Sequence, residues 1–215
     1  MSFSVIVSQL AQGMLTTVSI FFLTLIFSMP LGFLVAFGRM SKNRIIRSIT
    51  QFYISIMRGT PLMLQLMVVY FFPLYLFKIQ IGSGWRFPAI IIGFAINYAA
   101  YFAEIYRSGI EAIPKGQHEA AKLLGYTKSQ TFIKIILPQV IKIILPAVTN
   151  EIITLVKDTS LAFTLSCIEM FTVAKQIAAA ETSMVPFAVA ALFYYIFNLL
   201  VSFIMGRVEK KLSYY

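Results

Sequence analysis

Three stretches of this 215-residue chain set polar and ionisable side chains at helical spacing inside otherwise apolar sequence. Gln51, Ser55, Arg58 and Gln65 fall at offsets 0, 4, 7 and 14; Asn97, Tyr101, Glu104 and Ser108 at 0, 4, 7 and 11; Glu151, Thr154 and Asp158 at 0, 3 and 7. An ionisable group within a membrane span costs about 2.5–3.5 kcal/mol on insertion scales, so such groups face a bundle interior and point to function. Arg58, Glu104, Glu151, Lys157 and Asp158 supply both signs of charge. Two chemistries are open to them: contact with a charged solute, or mutual neutralisation, with Arg58 and Glu104 the obvious pair. Lys157 and Asp158 are neighbours about 100° apart on a helix, so they pair poorly with each other, and at least one reaches another helix or water.

Those stripes must be carried by membrane helices. The chain is 59% hydrophobic and 12% charged, where soluble domains carry about 25% charged residues. Apolar runs cover roughly 18–38, 62–77, 87–103, 143–156 and 185–206. The second and fourth fall short of the ~20 residues a spanning helix needs and must extend into polar sequence. We therefore expect an all-α integral membrane protein of five spans. Pro30, Pro61, Pro138 and Pro146 punctuate the helices, and such breaks persist in lipid only where neighbours or a wet cavity satisfy the exposed carbonyls. Residues 79–85, with Gly82 and Gly84, read as a short external loop, and 169–184 as a longer polar external connection.

The net charge of +10 reflects sidedness rather than nucleic-acid binding. Arg39, Lys42, Arg44, Arg47, Arg107, Lys115, Lys122, Lys128, Lys134, Lys142, Arg207, Lys210 and Lys211 fall on one side of a five-span chain. Lys78, Arg86, Lys157 and Lys175 fall on the other. By the positive-inside rule the N-terminus is outside and the C-terminus cytoplasmic. The first span lacks a basic leader and a cleavage site, so it is expected to stay. A single Cys167 and a single His118 exclude an internal disulfide and a Cys/His metal site. His118 reads as an exposed loop residue, and Phe71, Phe72, Tyr75 and Trp85 as interfacial anchors. An intramembrane hydrolase is excluded as well: Ser160 and Cys167 have no histidine base in the membrane.

Between the third and fourth spans lies EAAKLLGYTKSQTFIKIILP, residues 119–138. Ala120 and Ala121 give a short helix a small face, Glu119 and Lys122 stand one turn apart on the exposed side, and Gly125 suits a left-handed helix end. Thr127 and Gln130 form a capping box that starts the next helix.

The spacing Glu-Ala-Ala, three residues, Gly, nine residues, Ile, one residue, Leu-Pro resembles the cytoplasmic signature of the permease subunits of ATP-binding-cassette importers. Arg58-Gly-Thr-Pro-Leu62 with Gln65, Glu104-Ile-Tyr-Arg-Ser-Gly109 and Lys157-Asp-Thr-Ser-Leu161 are similar to permeases of the polar amino acid uptake family. The resemblance implies one transmembrane domain over 1–215, a five-span type I importer bundle of the bacterial inner membrane, with residues 114–126 as the cytoplasmic coupling helix. Glu119, Ala120, Ala121 and Gly125 are then the coupling positions.

It also implies a second permease subunit, identical or related, two ATPase subunits that bind ATP and Mg, and an extracytoplasmic amino acid-binding protein. No cofactor is expected in this chain, which has no phosphate-binding Gly-Lys loop and is not itself an enzyme. An amino acid needs an anion near its ammonium and a cation or backbone donors near its carboxylate, for which Arg suits bidentate contact. Arg58, Thr60, Gln65, Asn97, Tyr101, Glu104, Thr154, Lys157 and Asp158 are the expected pathway residues. A channel or structural membrane subunit without ATP coupling is the alternative.

Overall fold

The computed structural model describes residues 1–212. Nine α-helices follow one another among the described residues: α1 (Phe3–Arg39), α2 (Arg44–Gly59), α3 (Leu62–Phe77), α4 (Arg86–Glu111), α5 (Lys115–Leu123), α6 (Lys128–Thr131), α7 (Leu137–Asp158), α8 (Met170–Glu181) and α9 (Val185–Leu212). A 3-10 turn at Ser83–Trp85 starts α4, and a 3-10 segment, Thr159–Leu165, extends α7. Four of these continuous helical stretches are long and apolar enough to cross a membrane, and the bent pair of α2 and α3 meets the same length and composition together, for up to five spans.

The central helix is α4. Phe94, Tyr98 and Phe102 are buried along it, with Ile20 and Phe21 of α1 and Leu155 and Val156 of α7 in the same core cluster. Helix α1 packs on α4 through Gly32: a Cβ there would lie 2.8 Å from Cβ of Phe102 and 3.0 Å from the Ala99 carbonyl oxygen. Close approach of this kind is how helices associate in lipid, where apolar burial alone drives little.

Three expectations are corrected. The first span begins at Phe3, not near residue 18, and its 37 residues reach roughly 55 Å at 1.5 Å per residue, against an apolar bilayer core of about 30 Å. Its N-terminal turns form a second core with α8 and α9, built on Ile6, Leu10, Met170, Ala174 and Val189.

The second span is not one helix. It breaks at Gly59–Thr60–Pro61, and the two halves are bent by 115°. Pro61 denies an N–H and pushes Thr60 out of helical geometry, to φ −124° and ψ 150°. Gln65 therefore does not continue the face of Gln51, Ser55 and Arg58.

Residues 169–184 are not a polar connection either. They form α8, whose Met170, Thr172, Ala174, Ile177 and Ala178 are buried. The alternation of small and polar residues that read as a loop is the pattern of a helix packed closely on α1 and α9.

Of the four prolines noted in the sequence, Pro30 and Pro146 lie inside unbroken helices. Before Pro138 the helix widens to a π segment over Phe132–Ile136, the local adjustment that absorbs a missing N–H and a ring pressed against the preceding turn.

Candidate functional site

Two regions carry the residues singled out by the sequence. The first is α5, introduced by Pro114 and ended at Leu124. Gly125 takes φ +76°, the left-handed geometry that glycine adopts without steric cost. The capping box is present: the Thr127 hydroxyl accepts from the Gln130 N–H at 3.3 Å, and the Gln130 side chain accepts from the Thr127 N–H at 2.9 Å. Ala121 is buried, whereas Glu119, Ala120 and Lys122 are exposed. Leu123 and Leu124 are 89% and 74% exposed. These two leucines, next to the exposed Ala120, leave apolar surface open at the end of α5.

The second region surrounds the break between α2 and α3. Asn97 donates to the Met57 carbonyl at 3.1 Å and to Gln65 Oε1 at 2.9 Å. Gln65 in turn donates to the carbonyls of Met57 and Thr60 and to Thr60 Oγ1, at 3.0, 3.1 and 2.8 Å. Both amides are buried. They satisfy the carbonyls that the break leaves without helical partners, a need that is absolute in lipid. The Tyr53 hydroxyl adds a bond to the Ile96 carbonyl, tying α2 to α4.

Around this braced elbow the remaining expected residues divide. Arg58 and Thr60 are exposed, and the Arg58 guanidinium lies over the Tyr101 ring at 5.4 Å. Tyr101 neighbours Tyr98, centroids 6.2 Å apart, and the Tyr98 hydroxyl donates to Asp158 at 2.7 Å. Arg58, Tyr101, Tyr98 and Asp158 thus link α2, α4 and α7 in one polar line. Thr154 is exposed and Glu151 half-buried beside it on α7. Lys157 turns the other way, into a groove of about 520 Å³ that it lines with Phe171, Tyr194, Tyr195 and Asn198. The divergence of Lys157 and Asp158 follows from their adjacency on one helix.

Glu104 does not pair with Arg58. Arg107 holds it, with Nη2 2.7 Å from Oε2 and Nε 3.2 Å from each carboxylate oxygen, and Arg39 of α1 stands 3.9 Å away. Arg107 also reaches Glu111 one turn on. This charge cluster joins the ends of α1 and α4 immediately before α5.

One buried acid went unnoticed in the sequence. Glu169 is 0% exposed and caps α8, accepting from the N–H groups of Phe171 and Thr172 at 2.7 and 2.6 Å and from the Thr172 hydroxyl at 2.9 Å. The Tyr194 hydroxyl of α9 donates to it at 3.2 Å, and that of Thr17 of α1 at 3.5 Å. Burial pushes its carboxyl above the ordinary glutamate range, against the downward pull of those donors. The only available signal was an acid alone between Ile168 and Met170.

Comparison with known proteins places this geometry. Residues 28–214 match the family described as binding-protein-dependent transport system inner membrane component. The L-cystine transport system permease protein of Bacillus subtilis is 36% identical over 209 residues, covering 96% of this chain and 87% of the relative. The arginine transport system permease protein of the same organism is 37% identical, covering 94% and 91%. A crystal structure of an amino acid ABC transporter with histidines superposes with a TM-score of 0.86 at 31% identity, covering 98% of this chain and 99% of that one. An inward-facing structure of the MetNI methionine ABC transporter shares the fold, with a TM-score of 0.74 at 20% identity. The family match spans most of the chain, and the relatives are covered almost end to end, so this protein belongs to the binding-protein-dependent transport system inner membrane components.

Proposed function

We propose that this chain is the membrane-spanning permease subunit of an ATP-driven amino acid importer of the bacterial inner membrane. The observation that carries the reading is the exposed helix α5 with its bare Leu123 and Leu124 and the left-handed Gly125, in a chain of this family. In this reading α5 docks on a separate ATPase subunit that binds ATP and Mg, with Glu119, Ala120, Ala121 and Gly125 at the contact. The permease does not hydrolyse ATP.

The open polar line of Arg58, Thr60, Tyr101, Thr154 and Asp158 is half of a pathway, completed by a second permease subunit, identical or related. Lys157 and Glu104 border it, and Gln65 and Asn97 hold its elbow in place. An extracytoplasmic binding protein delivers the amino acid. ATP binding moves α5, and the bundle exchanges between outward-open and inward-open states. The amino acid class is supported by relatives described as cystine and arginine permeases. The distribution of basic residues supports an orientation with α5 and the C-terminus in the cytoplasm and the N-terminus outside.

Co-purification tests the docking role. A tagged wild-type chain is expected to bring down its ATPase subunit in mild detergent, and Leu123→Asp with Leu124→Asp to lose it while remaining inserted. Equal recovery of the ATPase with both variants present overturns the assignment of α5.

A further inference from the structure

Helix α2 presents three different faces. Ile54 is buried against the bundle, and the Tyr53 hydroxyl bonds the Ile96 carbonyl of α4. A second face is apolar and bare: Ile45, Ile49, Phe52 and Ile56 fall at offsets 0, 4, 7 and 11, and all are exposed. The third is polar: Arg44, Arg47, Ser48, Gln51, Ser55 and Arg58 fall at offsets 0, 3, 4, 7, 11 and 14, and all are exposed.

The polar groups of this third face are unmet. Ser19, Thr50, Thr60 and Ser108, elsewhere on the long helices, each return a hydroxyl to a carbonyl of the preceding turn, which satisfies it within its own helix. Ser48, Gln51 and Ser55 make no side-chain hydrogen bond among the described residues, and Arg44 and Arg47 make neither a side-chain hydrogen bond nor an ion pair there. Polar side chains at membrane depth turn to a bundle interior or a water-filled cavity. The bare stripe of Ile45, Ile49, Phe52 and Ile56 is the face suited to acyl chains.

Charge is graded along the polar face. Arg58, at the elbow, lies over Tyr101 and within electrostatic reach of Glu104 on α4 and Glu151 on α7. Arg44 and Arg47 have no such carboxylate, and they stand in the first turns of α2, where the helix dipole adds positive potential. The face therefore becomes more attractive to an anion with distance from the elbow.

We propose that this face of α2 is the release half of the pathway, along which the α-carboxylate of a departing amino acid passes from Arg58 over Ser55, Gln51 and Ser48 to Arg47 and Arg44. The identity of the solute rests on the proposed transport function; the water-facing surface rests on the geometry of α2 alone.

Cysteine accessibility tests it on the assembled complex in nanodiscs, where both membrane sides are open to reagent and orientation does not enter. In a Cys167→Ser background, Ser48→Cys, Gln51→Cys and Ser55→Cys are compared with Ile49→Cys, Phe52→Cys and Ile56→Cys. The probes are the anionic sulfonatoethyl and the cationic trimethylammonioethyl methanethiosulfonates. In at least one of the nucleotide-free, ATP-bound and vanadate-trapped states the polar positions are expected to react about tenfold faster, because the reactive thiolate forms poorly in apolar surroundings. Ser48→Cys is expected to prefer the anionic reagent about tenfold, relative to a free thiol, at the low end of what a charged cleft contributes to encounter. Arg44→Gln with Arg47→Gln is expected to abolish that preference and to lower uptake of every transported amino acid by a similar factor, since the carboxylate is common to all. Equal reactivity of the two faces, protection of the polar face in all three states, or a preference that survives the loss of both arginines overturns the proposal. Uptake lowered for one amino acid alone overturns the carboxylate role. A wild-type complex that labels as expected without accumulating any amino acid counts against the proposed function and not against the water-facing surface.

Discussion

Asn97 and Gln65 share a 2.9 Å hydrogen bond across the α3–α4 contact, and both donate to the same Met57 carbonyl. The elbow between α2 and α3 is therefore braced by side-chain amides rather than by backbone. Gln65→Leu and Asn97→Leu are each expected to lower stability by about 1–3 kcal/mol, because each leaves buried polar partners unmet. The double variant is expected to lose less than the sum, since the second change removes a group already orphaned by the first. Thermal unfolding of the purified permease in detergent, run as a double-mutant cycle, checks this; strict additivity contradicts a shared network.

Arg58 and Glu104 are expected to behave independently. Glu104→Gln removes the anion held by Arg107 and approached by Arg39 and is expected to cost about 1 kcal/mol, modest because the groups are partly exposed. Arg58→Gln removes the guanidinium that lies over the Tyr101 ring, in an exposed position, so it is expected to lower uptake while leaving stability near wild type. Stability cycles of Glu104 with Arg107 and with Arg58 check the point: coupling in the second as large as in the first contradicts the geometry.

Much of this arrangement was legible in the sequence because it is local. Apolar runs marked the spans, Gly125 marked a helix end, and Thr127 with Gln130 marked a helix start, since each depends on residues a few positions apart. The elbow was only half legible. Pro61 announced a break, but the 115° bend and the recruitment of Asn97 to repair it depend on α4 lying alongside, which no spacing within the second span encodes. The Arg107–Glu104 pair was missed for a similar reason: Arg58, two helices away on α2, and Arg107, three residues away on α4, were equally available to Glu104, and packing chose the nearer. Glu169 carried no periodic signal at all, and its five donors come from α1, α8 and α9.

Glu169 gives a pH dependence with a defined sign. Its carboxyl titrates higher in the folded protein than in the unfolded chain, so the folded state binds the proton more readily. The contribution to stability is full below the ordinary glutamate value of about 4.3 and is lost as pH rises through the higher folded value. Glu169→Gln removes that titration, and also turns an amide N–H₂ toward groups that already donate, so it is expected to be less stable at every pH. Melting temperatures from pH 4 to pH 8 check this: the gap between wild type and Glu169→Gln is expected to narrow as pH rises, and a widening gap contradicts the assignment.

Sidedness follows from exposed positions. With Cys167 replaced, Gly82→Cys is expected to react with an impermeant thiol reagent added to whole cells, and Gln117→Cys only after lysis. Both positions are exposed, so burial does not explain a difference. The opposite labelling pattern contradicts an external N-terminus.

Gly125→Val puts a β-branched side chain at φ +76°, where such residues are strained. Nothing lies within 4 Å of the position to clash with a Cβ, so the damage is expected to stay in the turn after α5 and to leave the bundle inserted. Transport and ATPase association are expected to fall together. A variant with normal association and uptake removes Gly125 from the coupling surface.

The account stands most directly on ATP-driven uptake by the reconstituted complex. Proteoliposomes containing this chain, its ATPase and permease partners and the binding protein, loaded with ATP and Mg, are assayed with each radiolabelled amino acid in turn. The account predicts accumulation of one or a few amino acids above the external concentration, dependent on ATP and abolished by Leu123→Asp with Leu124→Asp. Flux that only follows the concentration gradient, and is the same with or without ATP, contradicts it.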